Sequence, residues 1–236
     1  MFLSRVTLSP PDPRAFLSLI GARMKAEDPS FAHKMIWTLF AEDPSATRDF
    51  LFEVTGRRPF QALVRSRREP VDGLGCWHIE TIPFRPRLAE GQRLRFSLDA
   101  VAVRSVKAAS GDRRGKPLDV VMAEWRNLPE HRRAHLTPDD LADPVGREWL
   151  EAQGTKHGFN LEDDTTVLAY ERHRFPNKGR RHVTVGSLKF SGSLTVTDVP
   201  AFEAMLGNGL GRQRAFGFGM MQIAPGGRGV TEKLSD

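Results

Sequence analysis

Residues 207–220 have the sequence GNGLGRQRAFGFGM, and we call them the glycine loop. Five glycines and two arginines lie between Gly207 and Gly219. Glycine allows a backbone to approach a ligand closely, and the planar donor fork of arginine suits phosphate. The stretch therefore predicts a cradle for a polyanion. An ordinary glycine-rich surface turn is the alternative.

The segments on either side of the glycine loop predict a helix and a strand. Asp198 and Pro200 are typical of a helix start, so a short helix is expected through Leu206. The apolar run 220–223 then predicts a final strand. The sequence lacks a GxxxxGK[ST] motif and a strand–GxGxxG–helix unit, which argues against a nucleotide hydrolase or a dinucleotide-binding enzyme.

Positive charge is concentrated in one part of the chain. The formal net charge is +6, and residues 172–190 contain six lysines and arginines but no acidic residue. A localised basic strip is typical of a nucleic-acid binder, because cations that neutralise phosphates release counterions. A solvated charged face is the alternative.

Composition and residue spacing limit the classes of protein that remain possible. The single cysteine, Cys76, excludes an intrachain disulfide. His131 and His135 have helical spacing but no evident third ligand, so no metal and no cofactor are expected. The chain begins without a signal-like segment and has no run of 18 apolar residues, which predicts a cytoplasmic protein without a membrane partner.

Hydrophobic periodicity predicts an α+β unit of split β-α-β type in the first half. A short helix is expected within 14–25 and a second within 31–40. Strands are expected at 2–8, 50–54, 60–64, 77–82 and 93–101. We assign residues 1–103 to this N-terminal domain and residues 104–117 to a basic linker.

The second half has a similar content of elements. Helical signals extend from 118 to 159, and strands are expected at 166–174, 181–185 and 188–196, with a turn at 176–179. Residues 118–225 are therefore assigned to a second α+β domain, and residues 226–236 to a flexible tail.

Several segments resemble the CasE family, the CRISPR repeat-RNA endoribonucleases of Cascade complexes. The similarity is most specific at 188–198 and 209–225, and segments 1–6, 48–54 and 93–100 match in family order. The resemblance implies two tandem ferredoxin-like (RRM-like, βαββαβ-type) domains. It also implies metal-independent cleavage of precursor RNA at the 3′ side of a repeat hairpin, with the protein retained as a Cascade subunit.

In this family a histidine on the first long helix is catalytic, and the matching residue here is His33. The family usually has a tyrosine three positions earlier, where this chain has Ser30. The only tyrosine, Tyr170, belongs to the second half. Either His33 acts without that partner, or Lys34 or another cation stabilises the developing charge, so Lys34 and Ser30 are its candidate helpers.

The basic hairpin of the second half is expected to hold the RNA stem. Arg172 and Arg174 are two apart on a strand and share a face. The predicted RNA-binding residues are Arg172, Arg174, Lys178, Arg180, Arg181, Arg104, Lys107, Arg113, Arg114, Gly209, Gly211, Arg212 and Arg214.

Two other functions are compatible with the sequence. One is a non-catalytic subunit that binds an RNA hairpin, in which the absent tyrosine marks lost activity. The other is a general basic RNA-binding module, which would show no preference for a repeat hairpin.

Overall fold

The structure, a computed structural model, describes residues 1–12, 29–41, 46–106, 116–176 and 182–226. The first unit contains one four-stranded sheet and one helix, with elements β1 (Phe2–Leu8), α1 (Pro29–Trp37), β2 (Phe50–Arg57), β3 (Phe60–Ser66) and β4 (Trp77–Pro83). A 3-10 turn, Thr38–Phe40, continues α1. The strand order is β2-β3-β1-β4, and every neighbouring pair is antiparallel.

The helix α1 covers one face of this sheet. Its apolar residues Phe31, Met35 and Ile36 are buried, because helical spacing places them on one side. They pack with Phe52 and Val64 of the strands. Residues 67–76, all described, connect β3 to β4 without a helix.

The second unit is built around a longer sheet. Its strands are β5 (Arg93–Ala100), β6 (Val103–Val106), β7 (Lys116–Asp119), β8 (Phe159–Leu161), β9 (Thr166–Pro176), β10 (His182–Val196) and β11 (Gln222–Pro225). Its helices are α2 (Val120–Asn127), α3 (Glu130–Arg133), α4 (Ala142–His157) and α5 (Val199–Asn208). The sheet order is β11-β5-β10-β8, and β9 pairs with the first part of β10.

The order β11-β5-β10-β9 repeats the order β4-β1-β3-β2 of the first unit. Both correspond to the ferredoxin-like arrangement, so the chain is an α+β protein with two tandem ferredoxin-like domains. None of the described helices is long and apolar enough to cross a membrane.

The strand pairing corrects the expected domain boundaries. β5, which we had assigned to the N-terminal domain, pairs with β10 and β11 of the second sheet. Its buried residues Leu94, Phe96 and Leu98 complete the second core. The alternating pattern predicted a strand correctly, but it carries no information about the strand's partner.

Other segments differ from the expectation or lie outside the described residues. At the two ends of the supposed linker 104–117, β6 and β7 pair as antiparallel arms, and the residues between them lie outside the described part. The described residues of segments 181–185 and 188–196 belong to the single strand β10, which begins at His182. The predicted helix within 14–25 and tail residues 227–236 also lie outside the described residues.

A buried arginine joins the two domains. Arg65 lies on β3 and is 2% exposed. Its Nη1 donates to the carbonyl oxygen of Leu206 at 3.0 Å, and its Nη2 donates to that of Met221 at 2.9 Å. These two carbonyls flank the glycine loop, so one side chain of the first domain holds both ends of a loop in the second.

The guanidinium of Arg65 also lies 4.3 Å from the centre of the Phe84 ring. Burial lowers the pKa of Arg65 to about 10, and the charge of Glu53 opposes this shift. The guanidinium therefore stays charged at neutral pH, although its Nε has no hydrogen-bond partner.

Other polar side chains also lie between the two sheets. Gln222 on β11 donates from Nε2 to Oε2 of Glu53 on β2 at 3.2 Å. Asp99 on β5 is mostly buried, and its Oδ1 has no hydrogen-bond partner. Burial raises the pKa of Asp99 from 3.8 to about 6, against the lowering effects of Ser187 and Lys189.

We expect Arg65→Met to destabilise the protein by about 2–3 kcal/mol, because two buried carbonyls lose their donors while the cost of burying the charge is removed. The measurement is denaturant unfolding of the variant and of Arg95→Met, an exposed arginine on β5. Equal stability of these two variants would contradict the bridging role of Arg65.

We expect Asp99→Asn to stabilise the protein at pH 8 by about 1–2 kcal/mol, since each unit of pKa shift corresponds to about 1.4 kcal/mol. The folded state binds the Asp99 proton more tightly than the unfolded state, so wild-type stability falls as pH rises from about 4 to 6. The advantage of the variant should vanish near pH 4.

Thermal unfolding between pH 4 and pH 8 measures this difference, with Asp163→Asn, an exposed carboxylate, as the matched control. A stability difference between Asp99→Asn and wild type that stays constant over that range would rule out the titration of Asp99 as its cause.

Candidate active site between the two domains

His33 lies where the first domain meets the glycine loop. It projects from α1, and its ring is half-buried. The ring centre lies 6.2 Å from that of Trp37, one turn later on the helix. It also lies 5.6 Å from the ring of Phe216, which belongs to a 3-10 turn of the glycine loop, Arg214–Phe216. The tertiary structure thus brings the two most distinctive sequence features together.

The surroundings of His33 favour its neutral form. Burial is the largest cause that lowers the pKa of His33, and the charges of Arg48 and Lys34 lower it further. The backbone of Ala215 acts in the opposite direction. The Nδ1 atom is buried without a well-aligned hydrogen-bond partner. A neutral imidazole is suited to accept a proton.

Three arginines line a cavity of about 340 Å³ between the segments at the start of β2 and the end of β3 and the glycine loop, and one of them, Arg48, is close enough to His33 to lower its pKa. Arg48 and Arg67 flank the start of β2 and the end of β3, and Arg214 comes from the glycine loop. Arg48 donates from Nη1 to the carbonyl oxygen of Phe50 at 3.2 Å, and Arg214 donates from Nη1 to that of Asn208 at 2.7 Å. These hydrogen bonds hold both guanidinium groups at the cavity.

The positive charge of this cavity is only partly compensated within the described part of the chain, where the charge of Arg67 helps to lower the pKa of Asp49. Asp49 also lines the cavity, but Arg68 donates to both of its carboxylate oxygens at 2.9 Å and holds its pKa below the usual value. Among the described residues no carboxylate forms an ion pair with Arg48, Arg67 or Arg214. Burial and Arg214 together lower the pKa of Arg48. The cavity is therefore suited to bind an anion such as phosphate.

Arg48 and Arg67 were missed as site residues in the sequence. Arg48 was noted only as part of a strand that matches the family. Its approach to Arg214, far away in sequence, depends on domain packing.

The glycines of the loop are required by its own packing. Gly209, Gly211 and Gly219 have φ values of 75°, 73° and 82°. A Cβ on Gly209 would lie 2.9 Å from a methyl carbon of Leu51, and one on Gly219 would collide with the carbonyl oxygen of Leu210. The glycines thus permit tight turns that contact β2.

The expectation that backbone N–H groups of the glycine loop would hold an anion is wrong for three of these groups. The N–H of Gly209 donates to Met205, that of Arg212 to Val101, and that of Gly219 to Asp99, in each case to the backbone oxygen. These N–H groups are occupied within the protein, so Arg212 and Arg214, rather than backbone amides, present the positive charge. A role of Gly209 and Gly211 in binding RNA stays a prediction.

The predicted basic hairpin has two distinct faces. Arg172 and Arg174 are both exposed on β9. Phe175 points to the other side, where its ring centre lies 5.0 Å from that of Phe216. Phe216 therefore contacts both Phe175, near the turn of this hairpin, and His33. Lys178, Arg180 and Arg181 lie outside the described residues.

The remaining predicted RNA-binding residues differ in their surroundings. Arg104 pairs with Glu124 at 3.2 Å, which compensates its charge. Lys107, Arg113 and Arg114 lie outside the described residues. Arg212 is exposed.

The candidate helpers of His33 are on its own helix. Lys34 is exposed beside it, and Ser30 belongs to the first turn of α1. Tyr170 donates its hydroxyl to Oδ2 of Asp119 at 2.9 Å, and burial raises the pKa of this hydroxyl. Because Tyr170 packs against the second core, it does not replace a tyrosine near His33.

Comparison with known proteins gives consistent matches over nearly the whole chain. A family model described as CRISPR associated protein matches residues 1–225. The CRISPR system Cascade subunit CasE of Escherichia coli (strain K12) is 24% identical over 213 residues, which cover 88% of this chain and 97% of that protein. The CRISPR-associated endoribonuclease Cse3 of Thermus thermophilus is 29% identical over 143 residues, which cover 61% of each.

Comparison with solved structures also gives a match over nearly the whole chain. A solved structure of CRISPR endoribonuclease Cse3 bound to 19 nt RNA has a TM-score of 0.67 and 23% sequence identity to this chain. The match covers 95% of this chain and 98% of that one. At this level of identity the likeness establishes a shared fold.

Proposed function

This chain belongs to the CasE family of CRISPR associated proteins, and we propose that it is an endoribonuclease that cleaves CRISPR precursor RNA at the 3′ side of a repeat hairpin. The observation that carries this proposal is the position of His33. A half-buried histidine with a lowered pKa lies close to Arg48, and Arg48 lines a cavity together with Arg67 and Arg214, none of which forms an ion pair among the described residues. This arrangement combines a proton acceptor with a binding site for phosphate.

The reaction begins with the 2′-hydroxyl of one nucleotide, which attacks the adjacent phosphate. His33 accepts the proton of that hydroxyl, since its imidazole is neutral at pH 7. Negative charge then increases on the phosphate oxygens, where Arg48 and Arg214 stabilise it. The 5′-oxygen of the next nucleotide leaves and takes up a proton, giving a 2′,3′-cyclic phosphate and a 5′-hydroxyl. The chemistry requires neither an added water molecule nor a metal ion.

The RNA hairpin is held by the ribbon of β9 and β10. Arg172 and Arg174 point away from the protein, and cations on such a ribbon bind the phosphates of A-form RNA through its shape. Phe216 contacts both Phe175, near the turn of the ribbon, and His33, which supports cleavage next to the bound stem.

The product is proposed to stay bound, with the protein as a subunit of a Cascade complex. The E. coli relative is named as a Cascade subunit, and a Cse3 structure contains bound RNA. The partners are therefore CRISPR repeat RNA, the mature crRNA and other Cascade subunits.

A second candidate function is a subunit that binds the hairpin without cutting it. The serine at position 30 favours this alternative, because the family usually has a tyrosine there. The hydroxyl of Tyr170 is bound to Asp119 and does not fill that role. Binding of the repeat without cleavage would support this alternative.

We expect His33→Ala to slow cleavage of the cognate repeat RNA by about 100- to 10,000-fold, the usual contribution of a general base. Cleavage is measured under single-turnover conditions in EDTA, with wild type and with His78→Ala, an exposed histidine on β4, as controls. A 2′-deoxy nucleotide at the scissile position should abolish cleavage by wild type.

The dependence of kcat/KM on pH identifies the role of His33. A base acts when it is deprotonated, so activity should rise with pH and level off, with a midpoint below 6.5 because the pKa is lowered. A rate that falls through this range would identify His33 as the acid. Full activity of His33→Ala would refute the assignment altogether.

We expect Arg172→Ala combined with Arg174→Ala to weaken hairpin binding and to reduce the slope of log affinity against log salt by about two, one for each lost phosphate contact. Binding is measured at several salt concentrations. The control combines Arg87→Ala with Arg126→Ala, two exposed arginines outside the ribbon. Affinity equal to wild type at every salt concentration would contradict the assignment.

A further inference from the structure

A second cavity, of about 540 Å³, lies between α4, α5 and the glycine loop. It has four basic residues in its lining, which are Lys156, His157, Arg212 and Arg214. Gln153 and Asn208 add amide groups. Within the described ranges no carboxylate lines this cavity. Its charge therefore favours an anionic ligand.

One side of the cavity is apolar. Ala201, Ala204 and Met205 of α5 line it, together with the edge of Trp149. Burial, and secondarily Lys156, lowers the pKa of His157, so its imidazole offers hydrogen bonds rather than charge at neutral pH. A ligand with a negative group and a flat, largely apolar body fits these surroundings. The volume of the cavity is within the range of small-molecule sites, about 300–1,000 Å³.

The two cavities are adjacent. Asn208 and Arg214 line both of them. An anion held by Arg48 and Arg214 and a ligand held by Arg212 and Lys156 would therefore both lie next to Arg214. A chain of successive phosphates satisfies this geometry, because each nucleotide carries one charge.

We propose that the second cavity binds an unpaired nucleotide of the RNA next to the hairpin, with its phosphate at Lys156 and Arg212 and its base against α5. This inference rests on the proposed function of the first cavity. An unpaired base presents a free face for packing, whereas a base inside a duplex is stacked on both sides. An acidic peptide would also be complementary to the positive charge of the second cavity. However, the second cavity adjoins the proposed phosphate-binding cavity, and this favours RNA.

The test uses uncleavable RNA with a 2′-deoxy nucleotide at the scissile position. Three forms are compared: the repeat hairpin alone, the hairpin with three unpaired nucleotides on its 3′ side, and the hairpin with three on its 5′ side. One of the extensions should tighten binding to wild type by about 10-fold, and the side that does so identifies the strand that enters the cavity.

Two variants test whether the tighter binding of the extended RNA depends on the second cavity. Lys156→Ala should reduce the benefit of the extension and leave the affinity for the bare hairpin within about threefold of wild type. Ala204→Glu, a substitution at an exposed helix position, should do the same by placing a negative charge in the cavity. Arg126→Ala, which changes charge outside the cavity, should retain the full gain.

Equal affinity of wild type for all three RNAs overturns the inference. Equal weakening of all three RNAs by the variants also overturns it, and so does displacement of the extension by a polyglutamate peptide at matched charge. Failure of the proposed function is distinguishable, because wild type would then fail to cleave the unmodified repeat RNA, whereas this test measures binding of uncleavable RNA alone.

Discussion

The buried guanidinium of Arg65 is the contact on which the arrangement of the site depends. It donates hydrogen bonds to Leu206, at the last turn of α5, and to Met221, just before β11. The glycine loop starts and ends at these two points. Because an α-helix leaves its last carbonyls without partners, a cation at this position also favours the end of α5. A charge buried without an ion pair is costly, and the two hydrogen bonds offset part of this cost.

The packing of the loop follows from these fixed ends. Gly209 contacts Leu51, Gly217 contacts Phe52, and Phe216 reaches the ring of His33. The same loop carries two arginines to the two cavities. The surroundings of the imidazole and the first cavity are formed by residues of both domains and depend on how the domains dock. The second cavity is lined by residues of the second domain alone, so it depends on the docking only through the loop ends that Arg65 holds.

Local patterns were sufficient to predict most elements. The apolar spacing of α1, the alternation of β5 and the Asp198 cap of α5 each involve residues close in sequence, and each element was confirmed. Strand partners could not be predicted in this way. β5 follows β4 in the chain but pairs with β10 and β11, because hydrogen bonds between strands are independent of sequence distance. The roles of Arg48, Arg67 and Lys156 escaped prediction for the same reason.

The sequence by itself determined the class of fold, the family and the candidate histidine, because these depend on periodicity and on short motifs. It also indicated a polyanionic partner through the clustering of cations. Only the tertiary structure decided why the loop contains glycines, since their positive φ angles and close contacts arise from packing on β2 and on the loop's own backbone. It likewise decided which arginines lack acidic partners, because ion pairing depends on distances between residues that are far apart in the chain.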